Sequence, residues 1–123
     1  MMTESFLADT YALIEIIEGN PNYEKYTDYN LCITELNLIE LYYAILRKRG
    51  KEQARHYLEE WDSFTTGISL ESIRFGMQFK LLNKKDKLSY TDCIGYALAM
   101  EKNIKFLTGD EKFEGLANVE FVK

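Results

Sequence analysis

The sequence predicts an α/β fold, a three-layer sandwich around a central, mostly parallel five-stranded sheet. Short apolar runs at Phe6–Ala8, Leu31–Ile33 and Ile104–Leu107 are each bounded by polar residues and have the length of a strand rather than of a helix. Between them lie segments whose apolar residues recur at the i, i+3, i+4, i+7 spacing of an amphipathic helix. Strands that alternate with helices in this way form a parallel sheet covered on both faces, because each crossover helix packs back onto the sheet it has left.

A chain of 123 residues reads as one domain, 1–123, long enough to bury roughly two thirds of the surface its unfolded form exposes. Hydrophobic residues make up 46% and there is one proline, which fits a packed core rather than a disordered chain. Met1 to Ser5 carry no basic segment ahead of an apolar run, and no stretch of about 18 apolar residues occurs. A soluble cytoplasmic protein with no membrane partner is expected. Cys32 and Cys93 both sit inside apolar patterns and read as reduced core thiols. His56 is the single histidine, which excludes a serine triad or a histidine-built metal site made by this chain alone. The net charge of −5 argues against a broad electropositive face, yet it leaves nucleic acid open as a substrate, because bound divalent cations reverse the field of an acidic cluster.

In chain order, the first strand stops at Asp9 and Thr10. A helix follows over Tyr11–Glu18 with Leu13, Ile14 and Ile17 on one stripe, and Gly19 suits a left-handed stop. A turn or short helix passes through Asn20, Pro21 and Asn22 before the second strand at Leu31–Ile33. From Asn37 the residues Leu38, Leu41, Tyr42 and Ile45 predict a helix, closed by Arg47, Lys48, Arg49 and Gly50, whose charges suit the negative end of its dipole. Ala54, Tyr57, Leu58 and Trp61 repeat the spacing and make a helical hairpin about Gly50. Thr65–Leu70 is a weaker strand candidate leading through Ser69 into a helix with Ile73, Met77 and Leu81. Asn83–Lys87 is a basic loop. Ser89 opens a helix through Met100 with Ile94, Ala97 and Leu98 inward, and small residues such as Gly95 let it approach the sheet closely. The next strand runs to Leu107, Asp110 starts a turn with Phe113, and Val119–Val122 supplies an edge strand.

Four acids, Asp9, Glu40, Asp92 and Asp110, fall in the first turn of a helix or just ahead of it. Taken singly, each also reads as a cap: Asn37 with Glu40 and Ser89 with Asp92 match capping boxes, and Asp9 and Asp110 suit N-caps. Taken together they converge, since parallel strand ends and the helix starts that follow them share one edge of the sheet. Two bare carboxylates 4 Å apart repel by roughly 4 kcal/mol at an effective dielectric of 20, so such a group calls for raised pKa values or a cation. With no histidine or thiolate beside them, an all-oxygen set suits Mg²⁺ or Mn²⁺. Glu35 competes with Glu40, which is preferred because it lies three residues after a capping side chain and beside Leu41.

Asp9-Thr10, the segment Asn37-Leu38-Ile39-Glu40-Leu41, the Leu88-Ser89-Tyr90-Thr91-Asp92 approach and Thr108-Gly109-Asp110 with Phe113 resemble the PIN domain, and over nearly the whole chain the similarity is to VapC-type toxins. The resemblance implies a divalent-metal-dependent endoribonuclease that hydrolyses RNA phosphodiester bonds with a metal-activated water, as the toxin of a toxin-antitoxin pair. Asp9, Glu40, Asp92 and Asp110 would then be the catalytic metal ligands. Behind them, Thr108 would orient a carboxylate or a water, and Thr10 would support the turn. Asn37 stands where the family often has a hydroxyl residue, a departure expected to touch only the cap. The resemblance also implies a homodimer and a small antitoxin partner, for which the many aromatic side chains, Tyr42, Tyr43, Tyr57 and Trp61 among them, offer surface.

For RNA contact, Lys84, Lys85 and Lys87 are favoured over the cluster Arg47–Arg55, because they precede Asp92 by a few residues. The alternatives are a non-catalytic PIN-like binding module and an RNA-processing nuclease that is not a toxin. A phosphoacceptor receiver and a haloacid-type phosphatase fail because Tyr11 stands where each needs a further acid.

Overall fold

A computed structural model describes residues 4–123. Strands β1 (Ser5–Ala8), β2 (Asn30–Cys32), β3 (Lys105–Thr108) and β4 (Val119–Phe121) are accompanied by helix α1 (Thr10–Glu18) between β1 and β2 and by α2 (Glu35–Arg49), α3 (Lys51–Asp62), α4 (Leu70–Leu82) and α5 (Tyr90–Lys102) between β2 and β3. Short 3₁₀ segments occupy Pro21–Asp28, Lys84–Asp86 and Glu111–Phe113. The sheet has the order β2-β1-β3-β4, and every pairing is parallel. β1 and β3 are therefore the central strands, with Leu7 beside Phe106 and Ala8 beside Leu107.

Strand alternation sends those pairs to opposite faces, as the period of two requires. Phe6, Ala8 and Leu107 pack with Ala12, Leu13, Leu38, Leu41 and Trp61 of α1 to α3. Leu7 and Phe106 pack on the other face with Cys93, Tyr96, Leu98 and Phe113. Helices cover both sides, and Phe6–Ala8 and Phe106–Leu107 are apolar at consecutive positions because neither side meets water there. Gly95 of α5 lies against the sheet, where an added Cβ would stand 3.1 Å from the Phe106 ring and 3.3 Å from Leu7. Both cysteines are free thiols. Among the described residues no helix is long and apolar enough to cross a membrane.

The fold differs from expectation in three places. The sheet has four strands rather than five: Thr65 makes only an isolated bridge to Ile33, held by Ile33 N–H to the Phe64 carbonyl at 3.1 Å and Thr66 N–H to the Ile33 carbonyl at 2.8 Å. The neighbouring strand β2 is three residues long, so the ladder has no room to continue before Gly67 and the Ser69 cap redirect the chain. Helix α2 begins at Glu35, not after Asn37; Thr34 is its N-cap, and Asn37 is the third residue of a reciprocal capping box. In α4, Ile73 and Leu81 are exposed, while Ser72 and Gly76 are buried toward α5. A Cβ at Gly76 would meet the Cys93 carbonyl oxygen at 2.9 Å, so the close crossing of these helices, not hydrophobicity, selects the inward face.

Candidate active site

Asp9 is delivered by β1 and caps α1. Its backbone N–H is bonded to the Leu107 carbonyl at 3.1 Å, which extends the β1–β3 ladder to the acid itself. Its Oδ1 accepts from Ala12 N–H at 2.8 Å, and its Oδ2 accepts from the hydroxyl of Thr108, the last residue of β3. Thr108 in turn accepts the Asp110 N–H at 3.0 Å, and Asp110 Oδ1 accepts Lys112 N–H at 3.0 Å. Asp9 is 2% exposed and Asp110 half-buried. The capping roles read from the sequence are thus present, and for Asp9 the cap uses only one of two carboxylate oxygens.

Asp92 sits three residues inside the Ser89 cap of α5, its N–H bonded to Ser89 Oγ at 3.0 Å. Glu40 projects from the second turn of α2, where its Oε1 accepts from the Thr10 hydroxyl at 2.6 Å. Glu35, at the first position of the same helix, is exposed. The structure therefore places Glu40, not Glu35, beside the other acids, although the capping argument that favoured it does not hold, since Asn37 is not the cap.

Electrostatics tie the four together. Burial pushes the Asp9 carboxyl up to about 7, against the lowering pull of its bonds to Thr108 and Ala12, and the charges of Asp92 and Asp110 push it further. Burial likewise pushes Asp92 up to about 6, with the charges of Glu40 and Asp110 adding to the rise and Lys112 opposing it. Asp9 and Asp92 each feel the charge of at least two other acids of this set, two of which, Asp9 and Asp110, are caps.

Among the described residues, no three His, Cys, Asp or Glu side chains group closely enough to enclose an ion. The donor set nonetheless fits a hard divalent cation. It is all oxygen, and it contains two carboxyls whose charged forms are penalised by burial and by neighbouring carboxylates, which is the condition a cation relieves. Read from the sequence, Asn37 has only a capping role and Lys112 has none. Lys112 Nζ reaches the Lys87 carbonyl at 3.5 Å, joining the basic loop to the turn that carries Asp110; its position two residues after Asp110 was the available signal.

Lys84, Lys85 and Lys87 are exposed on the loop that enters α5. In the rival basic cluster, Lys48 and Arg49 bind Glu18 at 3.0 and 2.7 Å and clamp the ends of α1 and α2 together.

A family model described as the PIN domain matches residues 6–119. No curated protein matches the chain. Among solved structures, VapC20 of Mycobacterium tuberculosis, described as a Sarcin-Ricin loop cleaving toxin, superposes with a TM-score of 0.77 at 13% identity, covering 96% of this chain and 99% of that one. DNA-bound VapBC from Salmonella typhimurium gives 0.75 at 18%, covering 98% and 97%. A toxin-antitoxin complex from Klebsiella pneumoniae gives 0.71 at 19%, covering 93% and 94%. At these identities the likeness speaks for the fold.

Proposed function

Because the chain belongs to the PIN-domain family, we propose that it is a divalent-metal-dependent endoribonuclease acting as the toxin of a toxin-antitoxin pair. The observation that carries the reading is the penalty that burial and neighbouring carboxylates place on the charged forms of Asp9 and Asp92, with Asp110 and Glu40 among those neighbours, an arrangement costly to the metal-free fold and useful to a cation. These four residues would hold Mg²⁺ or Mn²⁺. The ion would supply Lewis acidity and a water acidic enough to attack a phosphodiester. Thr108 fixes the rotamer of Asp9, and Thr10 fixes one oxygen of Glu40, so the acids are oriented before an ion arrives. Lys84, Lys85 and Lys87 would meet the RNA backbone. The toxin-antitoxin complexes among the structural neighbours support a small antitoxin partner; a homodimer is proposed from the family resemblance alone.

A non-catalytic binding module of the same family is the second reading, favoured by the burial of Asp9 and by the open spacing of the acids among the described residues. Mapping the cuts made in total cellular RNA decides between them. We expect discrete cuts by the wild type in Mn²⁺, none in EDTA, and none by Asp9→Asn. Cutting that persists in EDTA would overturn the nuclease reading as stated, and intact RNA under every condition would favour the binding module.

A further inference from the structure

We infer that Asn37 is a positioning residue that aims Glu40 through Thr10, a role that rests on the metal-dependent reading above and goes beyond its capping of α2. The amide of Asn37 is 2% exposed and is held without ambiguity. Its Oδ1 accepts the Thr34 N–H at 2.9 Å, and a backbone N–H can only donate, so the oxygen end must face Thr34. The same oxygen receives the Thr34 hydroxyl at 2.9 Å. The Nδ2 end is thereby turned toward α1, where it donates to Thr10 Oγ1 at 3.1 Å.

That donation decides where the Thr10 proton goes. With an N–H pointing at its oxygen, the hydroxyl directs its own hydrogen away from Asn37, and it donates to Glu40 Oε1 at 2.6 Å. The chain Thr34 N–H, Asn37, Thr10, Glu40 therefore runs in one direction and ends on a carboxylate. Two consequences follow from that direction. One oxygen of Glu40 is engaged, and the other is left for a cation or a water. Finally, Thr10 adjoins Asp9, so the relay ties the α2 acid to the turn that carries the β1 acid and sets their separation.

Oriented hydroxyls that lie behind metal ligands typically account for tenfold to hundredfold in affinity, because they remove the reorientation a ligand otherwise undergoes on binding. The test is a double-variant cycle read as Mn²⁺ affinity, with free Mn²⁺ followed by electron paramagnetic resonance and the melting temperature of each metal-free protein recorded beside it. Thr10→Val removes the hydroxyl and keeps the shape. Asn37→Ser keeps a hydroxyl that can accept from Thr34 but is too short to reach Thr10, and Thr10→Ser restores the donor.

Each of the first two variants is expected to weaken Mn²⁺ binding about tenfold. Thr10→Ser should bind within about twofold of the wild type. The combined Thr10→Val, Asn37→Ser protein should bind no worse than Thr10→Val alone, because Asn37 has nothing to orient once the hydroxyl is gone. Losses that add, or an Asn37→Ser protein that binds like the wild type, would overturn the relay and leave the metal reading standing. A wild type that binds no Mn²⁺ would overturn the metal reading, and the relay's role with it.

Discussion

The hydroxyl of Thr108 donates to Oδ2 of Asp9 from the neighbouring strand while it accepts the N–H of Asp110 at 3.0 Å. One buried side chain thus serves the acids that follow two adjacent strands. Thr108→Val leaves the Asp110 N–H without an acceptor and removes a bond that lowers the Asp9 pKa. The expected cost is about 2 kcal/mol, seen as a lower urea midpoint at unchanged slope. Thr108→Ser should recover most of it.

The raised carboxyls give the metal-free protein a defined pH dependence. The folded values of Asp9 and Asp92, about 7 and about 6, lie above the ordinary 3.8, so the folded state holds protons that the unfolded state has already lost. Their contribution to stability is complete below the ordinary carboxyl value and is lost as pH rises through 6 and 7. In EDTA, melting temperature should fall between about pH 5 and about pH 8, by an amount equivalent to a few kcal/mol. Mn²⁺ binds the ionised carboxylates, so its stabilisation should grow over the same window, to about 2.7 kcal/mol at a hundredfold excess over the dissociation constant. Asp92→Asn should flatten the EDTA profile and diminish the Mn²⁺ response. A profile that rises with pH in EDTA would contradict the account.

Gly109 stands between Thr108 and Asp110 with the Tyr11 ring packed onto it. A Cβ there would clash with Tyr11 Cε1 and with the Val122 carbonyl oxygen. The ring can rotate, but the carbonyl belongs to the chain just past β4, whose Val122 N–H is bonded to Thr108 at 2.9 Å. Gly109→Ala should therefore destabilise by about 2 kcal/mol through overpacking and weaken Mn²⁺ binding by displacing Asp110. Calorimetry with and without Mn²⁺ separates the two effects.

Lys84, Lys85 and Lys87 should contribute to RNA binding as charges. If all three meet phosphates, replacing them by Gln lowers the slope of log affinity against log salt by about 2 for a single strand, while the cleavage positions stay the same. The slope from filter binding of the Asp9→Asn protein to RNA, with and without the lysine changes, checks this. An unchanged slope would assign the grip to other residues.

Much of the acidic edge was legible in the chain. Asp9 and Asp110 each follow an apolar run directly, and Ser89 announces the helix that carries Asp92, so local pattern alone located three of the four. Glu40 was reached by a faulty route. Thr34-x-x-Asn37 and Asn37-x-x-Glu40 both have the spacing of a capping box, and only the position at which the backbone leaves β2 selects the first. The fifth strand failed for a related reason: Thr65 has a strand-like neighbourhood, but its partner edge ends after Ile33. The exposure of Ile73 and Leu81 was equally hidden, because the inward face of α4 is chosen by how closely Gly76 lets α5 approach.

By itself, the sequence determined the alternation of strands and helices, the parallel sheet and the presence of acids at its carboxyl edge, because these follow from periodicity and from caps a few residues long. Only the tertiary structure decided which oxygen of each acid is engaged, that Thr10 and Asn37 stand behind Glu40, and that Thr108 joins Asp9 to Asp110. Hydrogen bonds act over about 3 Å and depend on direction, and their partners here lie as far apart along the chain as Asp9 and Thr108, so no local pattern encodes them.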